Sequence, residues 1–224
     1  MSWLQVLDLH NMLKQSFKTT TSPSETRTSE NFILLLKNKF MSGDRYIITD
    51  QNACHFLTFT VVDWADVFIR PVYKQIIVDS LNFCIEKKGL IVYGWCLMTN
   101  HLHLVAEAKE GYKLSHIIRD FKKFTARSVL KAIEEEPESR RDWMLYRFEF
   151  AGKFMKRIEL YHFWQDGNHA IFLDPHRPEM LRQRLNYTHK NPVRAGIVEN
   201  AEDYLYSSAR DYCGKKGLVN IVFV

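Results

Sequence analysis

The spacing of hydrophobic and polar positions changes several times along the chain, and each change marks an element. Residues 55–62 (His-Phe-Leu-Thr-Phe-Thr-Val-Val) are β-branched and aromatic, which predicts a strand. From Pro71, a favourable first helical residue, Val72, Ile76, Ile77, Leu81 and Ile85 recur at helical spacing until Gly89, predicting a helix over 71–88. Two further apolar runs, 90–98 and 101–108, predict strands joined by a tight hairpin. Leu114, Ile117, Ile118, Phe121, Phe124 and Val129 form one side of a long helix over 113–135, closed by Glu134-Glu135-Glu136-Pro137. Residues 141–156 predict another helix, although Phe148 and Phe150 also alternate as in a strand. Residues 161–173 read as strand, turn at Asp166-Gly167-Asn168, and strand. Residues 178–191 predict a helix stopped by Pro192, and 201–212 a last short helix.

The order β-α-β-β-α followed by further strand predicts an α/β (α+β) ferredoxin-like sandwich: an antiparallel sheet with helices on one face, plus a C-terminal helix. Ahead of it, residues 1–18 have a weak amphipathic pattern, and the polar tract 19–29 has no packing face and reads as a linker. The expected division is a leader or appendage at 1–40, a catalytic domain at 41–212 and a tail at 213–224. A helix at 1–18 docked on the domain is the alternative for the first segment.

Composition narrows the class. With 46% hydrophobic and 25% charged residues the chain is globular. Its four cysteines, Cys54, Cys84, Cys96 and Cys213, lie far apart with no C-x-x-C pair, which reads as reduced thiols in a cytoplasmic protein. No apolar run approaches the ~18–20 residues of a membrane span, and no signal-peptide pattern opens the chain. The net charge of +5 permits a polyanionic partner without requiring one.

Candidate chemistry begins at Met98-Thr99-Asn100-His101-Leu102-His103. On a strand, His101 and His103 point to one face and Leu102 to the other, so two imidazoles about 6–7 Å apart at the backbone form one side of a metal site. A structural role for the pair is the competing reading, because H-x-H arises readily by chance. The answering feature is Asn186-Tyr187-Thr188-His189-Lys190-Asn191-Pro192. Tyr187 and Asn191 stand four apart and share a helical face. Tyrosine, with a reference pKa of about 10, is a poor nucleophile until activated, and a divalent cation on a phosphodiester would assist it. Two imidazoles and one amide oxygen suit Mg²⁺ or Mn²⁺ in use, although imidazoles accept Zn²⁺ as well. Asn191 could instead serve only as a helix cap before proline, and His189, off the Tyr187 face, either packs or contacts nucleic acid.

Taken together, 98–103 and the block Tyr187-Thr188-His189-Lys190-Asn191-Pro192-Val193-Arg194-Ala195-Gly196-Ile197-Val198 resemble the single-tyrosine HUH transposases. Within them the chain is most similar to the REP-associated tyrosine transposases, and Phe163-Trp164-Gln165 resembles a further element of that group. The resemblance implies a ferredoxin-like fold and metal-dependent cleavage and rejoining of single-stranded DNA near hairpins or palindromic repeats, through a 5′-phosphotyrosine with a free 3′-OH. It makes His101 and His103 metal ligands, Tyr187 the nucleophile and Asn191 a third ligand. For Trp164 and Gln165, core and surface strand roles compete with base contact.

Charge placement agrees with a DNA partner. Residues 113–131 carry six basic side chains against Asp120, and 177–194 carry five against Glu179, so two helices hold more than the net charge of the chain. Lys122, Lys123, Arg127, Arg184, Lys190 and Arg194 are the expected DNA-binding residues. Solvated helix faces are the plain alternative. Two other functions compete: a domesticated hairpin-binding protein with little turnover, and a metal-dependent hydrolase unrelated to DNA, whose longer histidine motifs are missing here. The sequence leaves monomer and homodimer open.

Overall fold

The computed structural model describes residues 47, 48, 50–153, 155 and 160–224. The expectations for a leader at 1–40 and the start of the domain at 41 lie outside the described residues.

Within them, strand β1 (His55–Thr60) is followed by helix α1 (Pro71–Lys87), strands β2 (Leu90–Leu97) and β3 (His101–Ala108), and helices α2 (Leu114–Glu135) and α3 (Arg141–Lys153). A short strand β4 (Ile171–Phe172), helix α4 (Pro178–Arg194) and the single turn α5 (Ala209–Tyr212) complete the chain. The sheet is antiparallel in the order β2-β3-β1-β4. This is the expected α+β sandwich, with the two long helices and α3 on one face. Alternation explains the layering: Leu57, Phe59, Leu102, Leu104 and Ala106 enter the main core with Ile77, Leu81, Ile117, Phe121 and Phe148. Phe56 and Val105, one residue out of phase, pack instead with Leu173 and Leu185 beneath α4. The sheet is therefore covered on both faces, and α4 owns the second.

Gly94 sets how closely α4 sits. A one-residue irregularity between Val92 and Gly94 brings Gly94 opposite Val105. A Cβ added at 94 would collide with the Leu185 side chain, so glycine is what admits Leu185 to the sheet.

Three sequence expectations need correction. The region 161–173 is not a regular hairpin: only Ile171–Phe172 is strand, and the first half contributes one bridge, Val61 to Trp164. Trp164 is buried and its indole N–H donates to Thr125 Oγ1 at 3.1 Å, while the Gln165 amide donates to the Val61 carbonyl at 3.2 Å. Burial of the indole took precedence over strand geometry, and both residues serve structure. Second, Pro192 does not stop α4. The helix runs on to Arg194, because only the N–H of Pro192 is lost while its carbonyl still accepts from Ile197 N at 2.9 Å. The Gly196 N–H bonds the Val193 carbonyl at 3.0 Å with Gly196 at φ 69°, a Schellman ending for which the glycine is the signal. Third, 201–212 is not one helix but a turn at Ala201–Asp203 and α5, separated by residues that bond the β2 edge: Leu97 N to Tyr206 O and Ser208 N to Trp95 O. The tail at 213–224 also docks: Val219 is buried, and Asn82 on α1 bonds Leu218 O and Asn220 N.

Candidate active site

The second face of the sheet carries the chemistry. His101 and His103 lie opposite Thr60 and Thr58 of β1, and their rings stand 4.7 Å apart, steeply inclined. Each imidazole is held through Nδ1. Asn100 donates its amide to Trp64 O at 3.2 Å and Asp66 Oδ1 at 2.9 Å, which fixes the orientation of that amide. Its Oδ1 thereby meets His101 Nδ1 at 2.7 Å, so His101 carries its proton on Nδ1 and keeps a lone pair on Nε2. His103 Nδ1 lies 3.0 Å from Thr58 Oγ1. Its Nε2 is enclosed and has no partner among the described residues.

Burial lowers both histidines: His101 to about 4, with Asp66 opposing the shift, and His103 to about 3, helped by the neighbouring His101. Near neutral pH both are uncharged, as metal-ligating imidazoles must be. Two neutral rings with Nδ1 occupied and Nε2 left over fit a divalent cation, and the orphaned Nε2 of His103 is the most direct sign of it. Among the described residues no cluster of three or more His, Cys, Asp or Glu surrounds them. Cys96, the cross-strand neighbour of His103, has its thiol pushed up to about 12 by burial and stays protonated. Among the described residues, a third protein donor would be a different kind of group.

Helix α4 brings Tyr187 to this pair. The phenol ring lies 5.3 Å from the His103 ring and 5.9 Å from Phe56, and Phe56 itself stacks on His103 at 5.3 Å. The sequence distance of eighty-odd residues between histidines and tyrosine is closed within one chain. Tyr187 remains 37% exposed, enough to meet a large substrate. Two arginines flank the aromatic group, Arg194 over the Tyr187 ring and Arg184 over Phe56, each at 5.2 Å. Asn191, one turn beyond Tyr187, is half-buried. Among the described residues no hydrogen bond joins its side chain to either imidazole.

The remaining expected residues divide. Lys123, Arg127 and Lys190 are exposed and suit phosphate contact, as does Arg194. Lys122 is different: its ammonium donates to Gln165 O at 3.0 Å, Gly167 O at 2.7 Å and Asn168 Oδ1 at 3.3 Å, closing the 165–168 turn. His189 packs: its Nε2 is 2.8 Å from Ser208 Oγ, its ring lies against Tyr212, and burial lowers it to about 4. Sequence reasoning missed Thr58, Asn100 and Phe56. Asn100 adjoined the histidines, but its role depends on Asp66 and Trp64, 34 and 36 residues away, and Thr58 could be found only from the strand register.

The chain is similar to known proteins over part of its length. The family model described as "Transposase IS200 like" matches residues 55–155, a span that includes both histidines and ends before Tyr187. Among solved structures, a REP-associated tyrosine transposase bound to a REP hairpin is 18% identical, with a TM-score of 0.49, covering 81% of this chain and 92% of that one. A candidate transposase from Deinococcus radiodurans R1 is 14% identical, with a TM-score of 0.38, covering 66% of this chain and 97% of that one. No curated protein matches.

Proposed function

On the premise that residues 55–155 form an IS200-like transposase domain, we propose that this protein nicks and rejoins single-stranded DNA beside hairpins, with Tyr187 as nucleophile. The observation that carries the reading is the approach of the Tyr187 ring to 5.3 Å from His103 within one chain. His101 and His103 would hold a divalent cation, Mg²⁺ or Mn²⁺, through their Nε2 atoms, with Asn191 as the candidate third donor. Such a cation, when bound, offsets negative charge on the phosphate oxygens.

The protein's own residues account for the rest. Tyr187 Oη bonds to phosphorus and the P–O3′ bond breaks. The phenol loses its proton as the departing 3′ oxygen gains one, leaving a 5′-phosphotyrosine and a free 3′-OH. The covalent link conserves the phosphodiester, so attack by a 3′-OH restores the strand and the phenol. Arg194 over the Tyr187 ring places positive charge beside the developing phenolate. Phe56 and His103 hold the ring by contact on its other sides. Lys123, Arg127, Arg184, Lys190 and Arg194 supply phosphate contacts that position the strand.

A hairpin-flanked oligonucleotide incubated with the protein and Mn²⁺ or Mg²⁺ tests this. Wild type should yield a protein–DNA adduct stable to denaturation, and Tyr187→Phe should yield none. Undiminished cleavage by the variant, or no adduct with wild type under either metal, refutes the reading. Tight, salt-sensitive binding without cleavage would indicate a hairpin-binding protein instead.

A further inference from the structure

Beside His101 stands a feature that the reaction above does not use. The turn Val62–Trp64 leaves β1 with two successive non-glycine residues in the left-handed region, Asp63 and Trp64, both at φ 55°. Such conformations are costly for residues bearing a Cβ and persist where the surroundings over-determine them. Here they do. Trp64 N–H bonds the Val61 carbonyl at 3.0 Å, Asp63 pairs with Arg147 at 3.1 Å, and the Trp64 carbonyl accepts from Asn100. All this restraint leaves the indole itself uncovered, 58% exposed, with its ring 5.8 Å from the His101 ring, edge to face. Three described tryptophans, Trp95, Trp143 and Trp164, are buried or half-buried, whereas Trp64 stands exposed on its turn.

We propose that Trp64 is a stacking platform for one unpaired nucleobase, the one next to the phosphate that the histidine pair receives. The inference rests on the reading of His101, His103 and Tyr187 as a DNA-cleaving site, and it adds a subsite for the base. An indole face stacks any base without reading hydrogen bonds, which suits a strand held by its backbone. The coupling to the site runs through two hydrogen bonds of one side chain: the Asn100 amide donates to the Trp64 carbonyl on one side, and its oxygen orients the His101 imidazole on the other. A base seated on Trp64 thus fixes its own phosphate relative to His101. The platform also selects against duplex interior, because a base inside a duplex has both faces covered by the pairs stacked above and below it.

The test uses the full chain carrying Tyr187→Phe, which cannot form the adduct, and a fluorescein-labelled single-stranded oligonucleotide with one hairpin. Abasic residues are introduced one at a time through the single-stranded flank. With Trp64 present, one position should weaken binding by about 5- to 100-fold. Adding Trp64→Ala should weaken the intact oligonucleotide by a similar factor and abolish the penalty at that position. Trp64→Phe should keep most of the penalty and Trp64→Leu little of it, which separates a π face from mere bulk. If the abasic penalties are the same with Trp64→Ala as with Trp64, or if no position stands out, the proposal is overturned. Its failure is distinct from failure of the cleavage reading, which is judged by the adduct formed with Tyr187 intact.

Discussion

The two faces of this sheet are cut from the same strands and obey different rules. One face takes Leu57 and Phe59 from β1 and Leu102, Leu104 and Ala106 from β3, all buried against α1, α2 and α3. The other takes Phe56, Thr58, His101, His103 and Val105, and a single helix with few apolar residues covers it. Period-two alternation separates the tasks without separating the residues. A histidine can be held in place because its neighbours in sequence, Leu102 and Leu104, are fully buried in the opposite layer. The lesson is that rigidity is made on one face and used on the other.

The largest effect should come from the supporting face. Leu104→Ala removes a fully buried side chain and should cost about 2–5 kcal/mol of stability in denaturant unfolding. Adduct formation per folded molecule should change little. A large loss of specific activity in the folded fraction would show that the faces are not separable.

Gly94→Val attacks the seam between sheet and α4, forcing a side chain against Leu185, and should cost about 1–3 kcal/mol. Because Leu185 and Tyr187 share α4, adduct yield should fall further than stability does, and Leu185→Ala should partly restore it. Equal losses without rescue would place the effect elsewhere.

Acid should sharpen the contrast more gently. In the metal-free protein His101, His103 and His189 are lowered from 6.5 to about 4, 3 and 4, chiefly by burial. Below pH 6.5 the unfolded chain binds protons that the folded chain refuses. Their contribution to stability is therefore complete above about pH 6.5 and lost as pH falls toward 4 and 3. Each adds a slope of up to about 1.4 kcal/mol per pH unit. Replacing His101 and His103 together by Gln should flatten the limb between pH 6 and 4 in urea titrations. An unaltered limb would contradict the burial of neutral imidazoles.

The smallest effects belong to the basic surface. Lys123→Ala should leave stability within about 0.5 kcal/mol and reduce the salt slope of DNA binding by roughly one. Lys122→Ala, one residue away, should show the reverse pattern, since its ammonium closes the 165–168 turn. Similar behaviour of the two would erase the distinction between a structural and a DNA-facing lysine.

Much of this was legible in the sequence because it depends on local period. Alternation placed His101 and His103 on one face, helical spacing placed Tyr187 and Asn191 on another, and the β-α-β-β-α order followed from apolar runs of the right lengths. Local rules failed where a long-range contact outweighed them. Pro192 looked like a stop, but the Gly196 ending satisfies the last carbonyls beyond it. Residues 161–165 alternated like a strand, but burial of Trp164 against Thr125 drew them out of the ladder.

By itself the sequence determined the β-α-β-β-α elements between residues 55 and 135, their antiparallel sheet, the histidine pair and the tyrosine helix, because hydrophobic period and residue chemistry are properties of short stretches. Only the tertiary structure decided which partners those residues meet. Strand register chose Thr58 for His103, the close approach at Gly94 let α4 carry Tyr187 to within 5.3 Å of that ring, and the hairpin Asn100 reached back to the strained turn at Trp64. Those are contacts between residues far apart in the chain, fixed by packing and register, which no local pattern encodes.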